Sequence, residues 1–66
     1  MGVVLSGVQS EVLKLISQGF TSEEISNKVF RSKRTIENIR ETLFRLTDTR
    51  NSAHLVAVAL RSGLLK

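Results

Sequence analysis

The sequence of 66 residues contains no cysteine, proline, tryptophan or tyrosine. Without cysteine, neither a disulfide nor a thiolate metal ligand can stabilise the fold. Without proline, nothing forbids long uninterrupted helices. Because Phe20, Phe30 and Phe44 are the only aromatic residues, the core must be built mainly from leucine, isoleucine and valine. A chain of this length has room for one domain, and we expect residues 1–66 to form it.

Long apolar runs and a charged leader are also missing. No apolar run approaches the roughly 20 residues that cross a bilayer, and residues 1–5 do not resemble a secretory signal. We therefore expect a cytoplasmic protein. The single histidine, His54, has no evident partner to make it a general base, and we read it as an ordinary surface or interface residue. The sequence predicts no enzyme, metal, cofactor or small-molecule ligand.

Basic residues are concentrated in the middle of the chain. Between Lys28 and Arg50 there are seven basic and three acidic residues, so the whole formal charge of +4 lies there. A solvated charged surface would explain this, but so would a polyanionic partner. The positions of the basic residues on the predicted helices favour the second interpretation.

Capping patterns predict an all-α fold. Ser6 with Gln9, and Thr21 with Glu24, have the spacing of a capping box, which begins a helix. Gly19 is suited to the left-handed conformation that ends one. The remaining boundaries are predicted at Ser32, at Asn51 or Ser52, and at Gly63. The four predicted helices cover about 7–18, 22–29, 33–46 and 52–62.

Apolar residues recur at helical spacing in the first three helices. In the third, the intervals of three, four and three residues predict one buried stripe. Phe20 and Phe30 flank the second helix and are interpreted as core, whereas Phe44 is placed at the edge of the core. The predicted inward residues are Val12, Leu13, Leu15, Ile16, Ile25, Val29, Ile36, Ile39, Leu43 and Leu46.

The second and third predicted helices form a helix-turn-helix pattern. A short helix, the connection Phe30-Arg31-Ser32 and a longer helix with a polar outer face follow one another. In such a motif, the second of the two helices lies in the major groove of DNA. Arg31, Lys33 and Arg34 cluster where that helix begins, and this position favours contact with phosphate.

The fourth predicted helix is apolar on nearly every side. In so small a chain, one face can meet the core, but little remains to cover the other. One interpretation is a face for self-association. The alternative is that Leu64 and Leu65, or Val3 and Val4, fold over it.

Nearly the whole chain, from about Leu5 to Leu65, resembles the LuxR-type (GerE-like) DNA-binding domain of bacterial transcription regulators. Each matching motif is weak alone, but their joint spacing is specific. The resemblance is carried by Leu5-Ser6, Glu11-Val12-Leu13, Leu15-Ile16, Gly19, Ser22, Glu24-Ile25-Ser26, Val29, Ser32, Thr35-Ile36, Ala53, Val56, Ala59 and Gly63-Leu64-Leu65.

This resemblance implies a four-helix domain that binds double-stranded DNA with its third helix and pairs as a homodimer through its fourth. Such a protein would be associated with the nucleoid, with RNA polymerase or a related regulator as a further candidate partner. The implied base-reading positions are Glu37, Asn38 and Glu41. The expected phosphate contacts, including basic residues on the polar face, are Arg31, Ser32, Lys33, Arg34, Thr35, Arg40 and Arg45. The expected dimer contacts are Leu55, Val58, Ala59 and Ser62.

Several positions depart from the family pattern. The family usually has a basic residue at the position of Glu37, often a histidine at that of Ile39, and commonly an arginine at that of Ser52. A basic residue followed by leucine is replaced by Leu46-Thr47.

The acidic residues leave two functions open. Glu37 and Glu41 can accept a hydrogen bond from cytosine, or they weaken DNA binding and the domain instead pairs with a related regulator. They can also simply form ion pairs one helical turn apart, Glu37 with Arg40 and Glu41 with Arg45.

Overall fold

The structure, a computed structural model, describes residues 3–65. Within this range the chain forms α-helices and no strand, which confirms the all-α prediction. No helix in this part of the chain is long and apolar enough to cross a membrane. The predicted bounds are met to within one residue, as expected for frayed helix ends. The helices are α1 (Gly7–Ser17), α2 (Ser22–Val29), α3 (Lys33–Thr47) and α4 (Ser52–Ser62).

The first two helices begin at the predicted capping boxes. The Ser6 Oγ accepts the Gln9 backbone N–H at 3.2 Å, and the Gln9 side chain accepts the Ser6 N–H at 2.9 Å. Thr21 and Glu24 make the same reciprocal pair. These bonds satisfy backbone donors that have no partner within the helix. The caps of α3 and α4 are Ser32 and Asn51.

The core lies where one side of each helix meets the others. Ile36 and Leu43 anchor α3 with no exposed surface, and Leu55 does the same for α4. Each buried side chain of this size stabilises the fold by about 1.5–3 kcal/mol relative to an exposed one. The buried apolar residues are Val12, Leu13, Leu15, Ile16, Ile25, Ile36, Leu43, Leu55 and Ala59.

Two residues predicted in the core lie outside it. Phe30 is 93% exposed: as the C-cap of α2 it adopts a left-handed backbone conformation (φ 57°, ψ 44°), and so it leaves the helical face that Ile25 and Val29 follow. Leu46 is 44% exposed, and Thr47 takes the buried position at the end of α3. Counted from Ile36 at about 100° per residue, Thr47 falls close to the buried direction of α3, whereas Leu46 falls roughly 80° to one side of it. Phe20 packs against the core as predicted.

The C-terminal residues cover part of α4. Leu64 and Leu65 pack against the core, and the Leu65 N–H donates to the Ala59 carbonyl at 3.1 Å. Leu55 and Ala59 are completely buried inside the protomer. Their assignment as dimer contacts is therefore corrected, because a second chain cannot reach them. Leu60 is 57% exposed, so some apolar surface of α4 stays uncovered.

Candidate nucleic-acid interface

A three-residue turn sets the relation between α2 and α3. The Arg31 N–H donates to the Ser26 carbonyl at 3.0 Å and closes the end of α2. Ser32 then adopts an extended backbone, and its Oγ accepts the Thr35 N–H at 3.1 Å to begin α3. Phe30, in the left-handed conformation, ends α2 and lets the chain change direction before α3 begins. Sequence signals for caps and turns thus define a helix-turn-helix.

The outer side of α3 is exposed along its first three turns. Its polar residues share one open cleft, of about 700 Å³, with the start of α2. Ile36 and Leu43 fix the opposite side in the core, so α3 cannot turn this polar side inward. The cleft is lined by Thr21, Ser22, Lys33, Arg34, Glu37, Asn38, Arg40, Glu41 and Phe44.

The structure brings the three predicted base-reading residues together in this cleft. Glu37, Asn38 and Glu41 are all exposed on successive turns of α3. Within residues 3–65, neither glutamate forms the ion pair that the sequence offered. The side-chain hydrogen bond of Arg40, the predicted partner of Glu37, goes instead to Ser52. The two carboxylates therefore face whatever occupies the cleft.

The predicted phosphate-binding residues fall into three groups. Arg31, Lys33, Arg34 and Arg45 are exposed cations, and the first three surround the start of α3. Ser32 caps α3 by accepting the Thr35 backbone N–H, and the hydroxyl oxygens of these two residues lie 2.9 Å apart. Arg40 is half-buried, and its Nη2 donates to the Ser52 Oγ at 2.7 Å. Of the three groups, only the first consists entirely of exposed side chains.

Sequence reasoning missed four residues of this region. Thr21 and Ser22 line the cleft from α2, but their sequence signal was that of helix caps. Phe44 lines the cleft as well as touching the core. Ser52 was considered as a helix cap and as a departure from the family pattern, but not as the hydrogen-bond partner of Arg40. The helix-turn-helix pattern itself was the available signal for the first two, because the start of its first helix faces the DNA backbone.

An eight-residue helix, a tight turn and a following helix with an exposed polar side define a helix-turn-helix domain. Comparisons with known proteins agree with this class. The model of the family "Bacterial regulatory proteins, luxR family" (GerE) matches residues 3–59. The chain belongs to this family, and its domain is of the DNA-binding type that serves transcription regulation.

A named relative supports the assignment. Over 60 residues the chain is 35% identical to the "Uncharacterized response regulatory protein YgeK" of Escherichia coli (strain K12). The aligned part covers 91% of this chain and 41% of that protein, so the chain spans about two fifths of the relative's length. No solved structure matches the chain significantly.

Proposed function

We propose that the chain recognises specific sequences in double-stranded DNA by placing α3 in the major groove. The supporting observation is that one side of α3 is anchored in the core while the opposite, polar side is exposed. Its polar side carries Lys33, Arg34 and Asn38 into an open cleft, while Ile36 and Leu43 are fully buried behind it. The major groove admits one α-helix. A regulator bound in this way would be associated with the nucleoid.

The residues of the cleft divide into two roles. Asn38 can make a bidentate contact with adenine, and Glu37 and Glu41 can accept from cytosine N4. The surrounding cations, hydroxyls and backbone donors would hold the sugar-phosphate backbone and supply the affinity that depends on salt. The residues proposed for this second role are Arg31, Ser32, Lys33, Arg34, Thr35, Arg40 and Arg45.

Helix α4 is the proposed site of homodimerisation. With Leu55 and Ala59 in the core, the proposed contact is limited to the neighbouring Val58 and Ser62, which retain exposed surface. Two paired copies would place their α3 helices in successive major grooves, about one helical turn of DNA apart.

A second candidate function is pairing with a related regulator through α4, with little DNA binding. The exposed carboxylates of Glu37 and Glu41 favour it, because unpaired negative charge in the cleft repels phosphate. The basic residues beside them favour DNA. RNA polymerase is a further proposed partner under the first proposal.

Binding to labelled duplexes tests the main proposal. Fluorescence anisotropy should show binding at low salt, with a steep loss of affinity as salt rises. Lys33→Ala should weaken binding to every duplex and reduce the salt slope by about one. Lys14→Ala is the matched control, because Lys14 is exposed on α1 and lines a separate groove.

The control should bind almost as the unmodified chain does. Equal losses in the two variants would show that charge acts without the proposed docking. Absence of duplex binding at low salt would contradict the proposal, and capture of a related regulator by the same sample would then support the second candidate.

A further inference from the structure

Arg40 differs from the other basic residues of the cleft. Lys33 and Arg34 are exposed, whereas Arg40 is half-buried, with a hydrogen-bond partner and an aromatic ring beside its guanidinium. Its Nη2 donates to the Ser52 Oγ at 2.7 Å, and its Cζ lies 6.0 Å from the centre of the Phe44 ring. The second distance is at the outer limit of a cation–π contact. Arg40 therefore has a defined orientation before any ligand binds.

The hydrogen bond joins two helices. Arg40 lies on α3 in the same cleft as the proposed base-reading residues, and Ser52 is the first residue of α4. The serine hydroxyl occupies one N–H of a guanidinium that carries several, so the others remain free for an anion. No carboxylate forms an ion pair with Arg40 in the described part of the chain, and its charge is therefore available.

We propose that Ser52 is a positioning residue that holds Arg40 ready for a phosphate of the DNA backbone. This inference rests on the proposed function. A free arginine side chain loses rotamer entropy when a phosphate fixes it. An arginine already held by Ser52 loses less, so the same contact gives tighter binding. Ser52 thus raises affinity without touching the DNA.

The test is a double-mutant cycle on duplex binding. Ser52→Ala should weaken binding about threefold, the order expected for one partly restored rotamer, and should leave the salt slope unchanged because no charge is lost. Arg40→Ala should weaken binding by about tenfold and reduce the slope by about one. Ser52→Thr keeps the hydroxyl and should restore binding.

The double variant gives the deciding measurement. If Ser52 acts only through Arg40, adding Ser52→Ala to Arg40→Ala should change affinity no further. A further loss would mean that Ser52 meets the phosphate itself. Thermal unfolding of each variant, followed by circular dichroism, checks that the domain stays folded at the temperature of the binding assay.

The two proposals fail in different ways. If the unmodified chain shows no salt-dependent duplex binding, both the proposed function and this inference are wrong. If it binds duplex but Ser52→Ala binds equally well, only the positioning role is overturned.

Discussion

The hydroxyl oxygens of Thr47 and Thr49 lie 2.9 Å apart, and both side chains are buried where α3 ends. Thr47 already donates its one hydroxyl proton to the Leu43 carbonyl at 2.7 Å. Thr49 must therefore be the donor and Thr47 the acceptor. This pair lets two polar side chains occupy the core at the connection to α4.

Thr47→Val should lower the free energy of unfolding by about 1–3 kcal/mol, because the buried Thr49 hydroxyl loses its acceptor. Urea denaturation measures the change. Replacing both threonines by valine should cost less than the two single changes added together, since no buried donor is then left without a partner. Simple additivity would contradict the described pairing.

Phe30→Gly should leave stability unchanged or raise it by up to about 1 kcal/mol. A left-handed conformation costs a residue other than glycine roughly 1–2 kcal/mol, and glycine's own loss of backbone entropy offsets part of that gain. The 93% exposed ring contributes little burial. Phe20→Ala is the comparison: because Phe20 is partly buried against the core, stability should fall, but by less than the about 3–5 kcal/mol of a fully buried phenylalanine. A similar fall for Phe30→Gly would contradict the exposed position of Phe30.

Glu24 gives stability a specific dependence on pH. Its pKa is lowered mainly because the carboxylate accepts the Thr21 backbone N–H, with smaller effects from the Thr21 side chain and from Lys28. Because the folded-state pKa lies below the unfolded value of about 4.3, this contribution is complete above that value. It is lost as the pH falls through the folded-state pKa.

Glu24→Gln keeps a side-chain acceptor for Thr21 but removes the titrating group. Its stability, measured by thermal unfolding, should therefore fall less steeply than that of the unmodified chain as the pH drops from about 5 toward 3. Glu23→Gln removes an equal charge from the same turn and leaves the capping bond intact. The prediction fails if the two variants have the same acid profile.

Asn38→Ala should reduce sequence selectivity more than total affinity. A bidentate contact to adenine is worth about 1–3 kcal/mol of discrimination, whereas the phosphate contacts would be unchanged. Selection from a pool of random duplexes measures the preference. Asn27→Ala is the control, because Asn27 is exposed on α2 outside the cleft. An unchanged preference in the Asn38 variant would show that Asn38 is not one of the base-reading residues.

Val58→Ala should weaken the pairing of two copies on DNA, while Leu60→Ala should not. Val58 belongs to the proposed contact, and Leu60 presents 57% of its surface on another side of α4. Sedimentation velocity on a duplex complex measures how many chains are bound. The reverse result would transfer the interface to the Leu60 side, and a single chain per duplex in every sample would argue against pairing through α4.

Local patterns determined the helices of this chain. Capping boxes at Ser6 and Thr21 and the apolar stripes fixed where α1 and α2 begin and which sides are buried, because these signals act within one or two turns of a helix. The exposed polar side of α3 followed from the same periodicity. The resemblance to the LuxR-type domain then predicted the family of the chain, and the family match confirmed it.

Contacts between distant residues were decided only by the tertiary structure. The hydrogen bond from Arg40 to Ser52 spans twelve residues, and no local pattern encodes it. Leu55 and Ala59 are completely buried because α4 packs this side against the core residues of the other helices, and Leu64 and Leu65 pack against the same core. Phe30 stays outside the core because its turn has a left-handed backbone conformation. Burial of a hydrophobic side chain stabilises the fold, but the packing of neighbouring helices determines whether that side chain is buried.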